Sequence, residues 1–225
     1  MEEADFDTAD WWAWHRDYDV PGSSLQLRTE IVHRHIRAFL DKGSPGERVR
    51  IVSPCAGQGR ELLPVVAAHP RRPDVRARLV ELDPRNVEAA CDSVSELKLD
   101  WNVDIVRGDA SVTDAYAGAV PADLVVICGV FGCIGADDAR NTIEHLPELC
   151  APGAAIVWTI QPSQLERTPE IRRWFAEAGF RESAFESPGL QASWVGLHRY
   201  AGEPRPLTRG VRLFTFGTLA KEVRT

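Results

Sequence analysis

Ile51-Val52-Ser53-Pro54-Cys55-Ala56-Gly57-Gln58-Gly59-Arg60 reads as a buried strand running into a glycine-rich turn. Upstream, Val49-Arg50-Ile51-Val52 supplies the strand. Downstream, Arg60 to Ala68 reads as a helix, provided that Pro64 falls in its first turn. Glycines at such a crossover let the backbone approach a ligand and expose helix-terminal amides. A dinucleotide fingerprint would need glycine or alanine three residues after Gly59, where Leu62 stands, so a nicotinamide-dependent reductase is disfavoured.

Working outward, strands and helices alternate. Ser23 has the character of an N-cap, with Gln26 at the capping-box position, and 24–41 reads as an amphipathic helix. Arg76 to Leu82 is a second strand, and Asp83-Pro84 caps and opens a helix to about Leu97. Val103 to Val106 is a third strand, and Ser111 to Ala117 a short helix. Asp123 to Cys128 is almost continuously apolar, as expected of a parallel strand buried on both faces. A helix over 137–149, a strand over 155–160 and a helix opened by Thr168-Pro169 follow. Segments 181–186 and 192–200 form an antiparallel hairpin around Ser187-Pro188-Gly189, and 210–217 adds an extended piece. The expected fold is α/β: an open, mostly parallel sheet with helices on both faces.

In such sheets ligands lie beyond the carboxyl ends of the strands. Glu81 ends the second strand, roughly 20 residues after the glycine turn, where a carboxylate meets ribose hydroxyls; an exposed surface carboxylate is the bland alternative. Asp109 follows the third strand and suits either an adenine amino group or the cap of the helix at 111.

The Cys-Ala-Gly-Gln-Gly turn, the Val-Glu-Leu-Asp-Pro end of strand two and Gly108-Asp109-Ala110 together resemble the class I S-adenosylmethionine-dependent methyltransferases. The likeness runs from about Arg48 to Tyr200 and extends to a group of bacterial methyltransferases. It implies a Rossmann-like sheet of seven strands with an antiparallel closing hairpin and an N-terminal helical cap. It divides the chain into an aromatic lid and helix over 1–45 and a cofactor-binding domain over 46–225. It implies S-adenosylmethionine as cofactor and S-adenosylhomocysteine as product. Cys55, Ala56, Gly57 and Gly59 would line the methionine and ribose portions. Glu81, followed by Leu82, would hold the ribose; Asp109 and Ala110 would border the adenine; Cys128 and Gly129 would flank the sulfonium and the entering acceptor. Two positions depart from the pattern: Cys55 replaces the first glycine, and Ser53 replaces the usual acidic residue. These departures motivate an alternative, a cofactor-binding or interaction protein without turnover.

Family members often fold an N-terminal segment over the cofactor. Tyr18 and Arg28 would then reach its carboxylate, unless Arg28 is a solvated helix residue. His15 in this lead-in is the candidate base; His145 and His198 read as structural. Of seven tryptophans, Trp11, Trp12 and Trp14 crowd the lead-in, to wall an acceptor pocket or anchor a homodimer. Trp158 and Gln161 are expected on the ligand-facing edge.

Composition bounds the acceptor. The 225 residues, 44% hydrophobic and 26% charged, fit a globular chain of one domain at about 150 residues per domain. A net charge of −7 argues against a phosphate-backbone binder while leaving room for a local basic pocket. The fourth strand is followed by Gly129-Val130-Phe131-Gly132, without the Pro-Pro motif of amino-methylating nucleic-acid enzymes. The acceptor is therefore expected to be a small molecule rather than nucleic acid. The five cysteines show no zinc spacing, and no metal is expected. The acidic start lacks a signal pattern and no apolar run reaches a membrane span of about 18 residues, so a cytoplasmic location is expected.

Overall fold

The computed structural model describes residues 10–189 and 192–216. The acidic start over 1–9 and position 217 of the last extended segment lie outside the described residues. Seven strands form one sheet: β1 (Val49–Pro54), β2 (Val75–Glu81), β3 (Val103–Arg107), β4 (Ala122–Ile127), β5 (Cys150–Ile160), β6 (Phe180–Glu186) and β7 (Trp194–Tyr200). Their order is β3-β2-β1-β4-β5-β7-β6. All neighbours are parallel except β7, which runs antiparallel to both β5 and β6. The order reverses direction between β1 and β4, the topological switch point at which such sheets bind ligands.

Alternation along the central strands separates two cores. Ile51, Leu124 and Val126 face one cluster, shared with Val32, Ile36 and Leu40 of α2 (Ser24–Lys42) and Val94 of α4 (Pro84–Glu96). Val52, Val125 and Ile127 face the other, shared with Ile143 of α5 (Ala136–His145) and Phe175 of α6 (Thr168–Glu177). Apolar side chains on both faces are what make β4 a continuous hydrophobic run.

Caps behave largely as the sequence implies. Ser23 Oγ accepts from the Gln26 amide at 3.1 Å; Gln26 Oε1 reaches back to the Gly22 amide instead of that of Ser23. Asp83 caps α4 by accepting from the Arg85 amide at 2.9 Å. Other boundaries shift. The helix expected over 60–68 is confined to α3 (Leu63–Ala68), which puts Pro64 in its first turn; Arg60–Leu62 belong to the turn. The helix expected over 137–149 tightens into a 3-10 turn at Leu146, just before Pro147. The expected helix over 111–117 is a 3-10 turn, Thr113–Tyr116. Thr168 lies inside the first turn of α6 and gives its hydroxyl to the Leu165 carbonyl, so it does not cap the helix.

Candidate active site

A cavity of about 560 Å³ opens at the carboxyl ends of β1 to β4. Its floor is the turn after β1. Cys55 adopts φ +49° and Gly57 +53°, both left-handed, which costs a non-glycine residue about 1 kcal/mol or more. Cys55 therefore sits in a conformation that favours glycine. Ser53 stays in the core, its hydroxyl donating to the Val126 carbonyl at 3.0 Å, so this side chain serves to join β1 to β4.

Glu81 at the end of β2 is 9% exposed, which excludes the solvated-surface reading. Its Oε2 accepts from the Gly57 amide and its Oε1 from the Asp83 amide, both at 2.9 Å. One carboxylate thus ties the glycine turn to the next loop while facing the cavity. Beside it Asn86 is fully buried and lines the cavity; its Oδ1 accepts from Gln58 and its Nδ2 has no partner. A buried donor without a partner is costly unless a ligand satisfies it. An acceptor and a free donor side by side suit a group with neighbouring hydroxyls.

Asp109 accepts from the Ser111 amide at 2.9 Å and from its hydroxyl at 2.6 Å, forming a turn over its own loop instead of capping the helix beyond. Burial raises its pKa, but Ser111 and Arg212 outweigh that and hold it below the usual carboxylate value. Cys55 and Cys128 both face the cavity. Burial, with Glu81 adding to it, pushes the Cys55 thiol well up. Burial pushes Cys128 up to about 12, Glu61 adding and Arg28 subtracting. Both are neutral thiols at physiological pH and act as soft lining rather than as nucleophiles.

The lead-in forms the roof. Asp10 caps the short α1 (Trp11–Trp14), and a 3-10 turn (His15–Asp19) continues it. Arg60 grips Asp19 with both terminal nitrogens, at 2.5 and 3.0 Å, and Arg85 reaches Asp10 at 2.9 Å. His15 is buried, stacks on Tyr18 and packs on Gly57. Its Nδ1 lies 2.6 Å from the Trp11 carbonyl, which can only accept; Nδ1 therefore carries the proton and Nε2 the lone pair of the neutral ring.

Of the expected residues, His15, Tyr18, Cys55, Ala56, Gly57, Glu81, Leu82, Asp109, Ala110, Cys128 and Gly129 converge on this cavity. Gly59 and Arg28 are absent from its lining. A Cβ on Gly59 would lie 2.6 Å from Leu63 and 3.1 Å from Leu79, so this glycine serves the packing of α3 on β2. Arg28 is 2% exposed and ion-paired with Glu61, so it is no solvated helix residue. It lies behind Tyr18, whose hydroxyl bonds both partners. Trp11 and Trp14 line the cavity whereas Trp12 does not. Trp158 is a correction: it is fully buried away from the cavity, bonded to His198 and stacked on Phe175 and Phe185. Gln161 likewise lies off the cavity, beside Cys133.

Sequence reasoning missed Glu61, Asn86, Phe214 and Phe216. The tail carrying the phenylalanines is fastened by Val112–Arg212 bridging, by Asn141 and Thr142 on the Leu213 carbonyl, and by a ring contact of Phe216 with Trp11. The alternation in Leu213-Phe214-Thr215-Phe216 was the available signal.

The family model described as "Putative methyltransferase" matches residues 24–170. The fold is similar to that of magnesium protoporphyrin IX methyltransferase from Synechocystis PCC 6803, crystallised with bound SAM, at 15% identity and TM-score 0.66, over 87% of this chain and 93% of that one. It is also similar to the CurJ carbon methyltransferase, at 15% identity and TM-score 0.66, over 84% and 58%. An O-methyltransferase family protein from Burkholderia thailandensis matches at 19% identity and TM-score 0.56, over 86% and 70%. A comparison with curated protein sequences finds no match.

Proposed function

The chain belongs to the methyltransferase family whose model spans residues 24–170, and from that premise we propose that it transfers a methyl group from S-adenosylmethionine to a small-molecule acceptor. The observation that carries this reading is the pairing of the Glu81 carboxylate with the unpartnered Asn86 amide at the lip of the glycine turn. Together they offer an acceptor and a donor to ribose hydroxyls. Leu82 and Ala110 offer apolar surface to the adenine, with Asp109 at its edge; Cys55 to Gly57, Cys128 and Gly129 border the rest.

When bound, the cofactor supplies a methyl group already made electrophilic by its sulfonium. What remains for the chain is to hold the acceptor in line, exclude water and take a proton where the nucleophile carries one. Trp11, Trp14 and Phe216 enclose the cavity with ring surface that a small apolar acceptor would contact. His15 is the base, because Trp11 holds its Nδ1 proton and leaves Nε2 free to accept. Of the lid expected over 1–45, the lead-in over 10–19 roofs the cavity on the acceptor side. Among the described residues no helix is long and apolar enough to cross a membrane.

One observation favours a second reading, binding without turnover: the turn is altered, with Cys55 held in a left-handed conformation and Ser53 committed to the Val126 carbonyl. Calorimetry with S-adenosylmethionine and S-adenosylhomocysteine tests the first reading, which fails if neither binds. Product formation with any member of a panel of small acceptors excludes the second.

A further inference from the structure

The opposite edge of the sheet carries a second cleft, of about 410 Å³, at the amino ends of β1, β2 and β3. Arg48, Arg50, Arg76 and Arg78 line it together with Trp101 and Asn102. Arg50 and Arg76 are register partners on neighbouring strands, so two like charges stand side by side, an arrangement that disfavours the sheet unless an anion offsets it. Arg78 is committed to Asp104, and Arg76 folds onto the Pro73 and Val75 carbonyls, 4.8 Å above the Trp101 ring. Asp100, also on the wall, takes the Ser95 hydroxyl. The guanidinium groups of Arg48 and Arg50 have no partner among the described residues. Asp123 takes the Arg50 amide at 2.7 Å, but among the lining residues four arginines face only Asp100 and Asp104, so in a chain of net charge −7 the cleft is a locally cationic exception.

Two further features point to a ring on the ligand. Trp101 is 54% exposed, and Arg76 accounts for only one of its faces. Asn102 is 3% exposed, and while its Nδ2 serves the Arg72 and Val75 carbonyls, its Oδ1 has no partner. We propose that this cleft binds a small phosphate monoester bearing a planar nitrogenous ring, a mononucleotide in chemical class. The forked donors of Arg48 and Arg50 match phosphate oxygens. The open face of Trp101 stacks the ring, and Asn102 Oδ1 accepts from a ring amino group. The site is independent of the cavity at the carboxyl ends.

The test is calorimetric titration with adenosine 5′-monophosphate, adenosine and inorganic phosphate, on the full chain with and without saturating S-adenosylhomocysteine, and on Arg50→Ala and Trp101→Ala. Saturable binding of the monophosphate is expected, with adenosine and phosphate each weaker by about ten-fold or more, as loss of a charged hydrogen bond or a stacked ring implies. Arg50→Ala and Trp101→Ala each weaken it by a similar factor, and saturating S-adenosylhomocysteine, which fills the other cavity, leaves it unchanged. Thermal melts of the exposed-site variants confirm that they fold. Absence of saturable binding overturns the proposal. So does binding lost under saturating S-adenosylhomocysteine but retained in Arg50→Ala, which would place the ligand in the other cavity. Phosphate alone binding as tightly as the monophosphate would overturn the ring's role.

Discussion

The guanidinium of Arg28 and the carboxylate of Glu61 form an ion pair with side-chain exposures of 2% and 11%, joining α2 to the turn that follows the glycines. Tyr18 bonds both partners, and Arg28 lies 5.6 Å from the Tyr18 ring and 5.8 Å from that of Trp14. Burial alone would lower the Arg28 pKa, but Tyr18 and Glu61 outweigh it and keep the arginine charged. The pair therefore fastens roof to floor. Removing one partner strands a buried charge, which typically costs about 3–5 kcal/mol. Arg28→Met is expected to lower unfolding free energy by that amount in urea titrations. The double variant Arg28→Met/Glu61→Leu should lose less than either single change, because no charge is left alone. A double variant as unstable as the sum of the singles would contradict this coupling.

Glu81 carries the binding prediction. Glu81→Ala removes the ligand's acceptor and leaves the Gly57 and Asp83 amides without their partner. Affinity for S-adenosylhomocysteine should fall about 10- to 100-fold, the range of a lost charged hydrogen bond. Glu81→Gln keeps one acceptor oxygen and should lose less. Unchanged affinity in both variants, read by calorimetry, would remove Glu81 from the site.

Much of this cavity was legible in the chain because topology does the collecting. Once β1, β2, β3 and β4 are parallel, the residues after each, Cys55 to Gly57, Glu81, Asp109 and Cys128, must share one edge. What stayed hidden depends on depth and on distant pairing. Periodicity places Arg28 on α2 but does not reveal Glu61, 33 residues away, as its partner. Asn86 reads as an ordinary residue of α4, although its amide is enclosed. Gly59 and Gly57 look alike in sequence, and only the approach of Leu63 and Leu79 separates packing from ligand contact. Trp158 lies two residues before the end of a strand that points to the cavity edge, yet its ring turns into the aromatic core against Phe175.

The strained turn gives a stability prediction. At Cys55, φ +49° admits glycine readily and a β-branched residue poorly. Cys55→Gly should leave stability within about 1 kcal/mol, the relieved strain offsetting lost packing and added chain entropy. Cys55→Val should cost about 2 kcal/mol or more. Denaturant midpoints measure both, and a stable valine variant would show that the turn can relax.

The acid limb of stability should report His198. Its Nδ1 accepts from Trp158 Nε1 at 3.0 Å, so the neutral ring carries its proton on Nε2, and protonating Nδ1 breaks that bond. Burial lowers its pKa to about 4, against partial compensation from Glu182. Between about 4 and the unfolded value near 6.5 the unfolded chain binds the extra proton, so stability rises with pH across that window. The contribution is complete above about 6.5 and is lost as pH falls toward 4, amounting to about 3 kcal/mol. His35, also lowered by burial, acts in the same direction. His198→Asn retains an acceptor for Trp158 and should flatten the slope between pH 4 and 6.5, as approximate bounds of the titration window. An unaltered slope would mean that His198 does not govern it.

His15 joins roof and glycine turn most directly. A Cβ on Gly57 would fall 2.1 Å from His15 Nε2, and the glycine's φ of +53° already disfavours a side chain. Gly57→Ala should therefore displace the imidazole and loosen the lead-in, seen as faster proteolysis within 10–22 and altered tryptophan emission. His15→Gln distinguishes the base from a packing residue, because glutamine fills similar space without taking the proton. If Nε2 accepts the acceptor's proton, turnover should fall about 100-fold or more while S-adenosylhomocysteine affinity holds. An acceptor that is already deprotonated should be methylated nearly as well by the variant as by the parent chain. Equal loss with both acceptors would assign His15 to shaping the roof instead of to proton transfer.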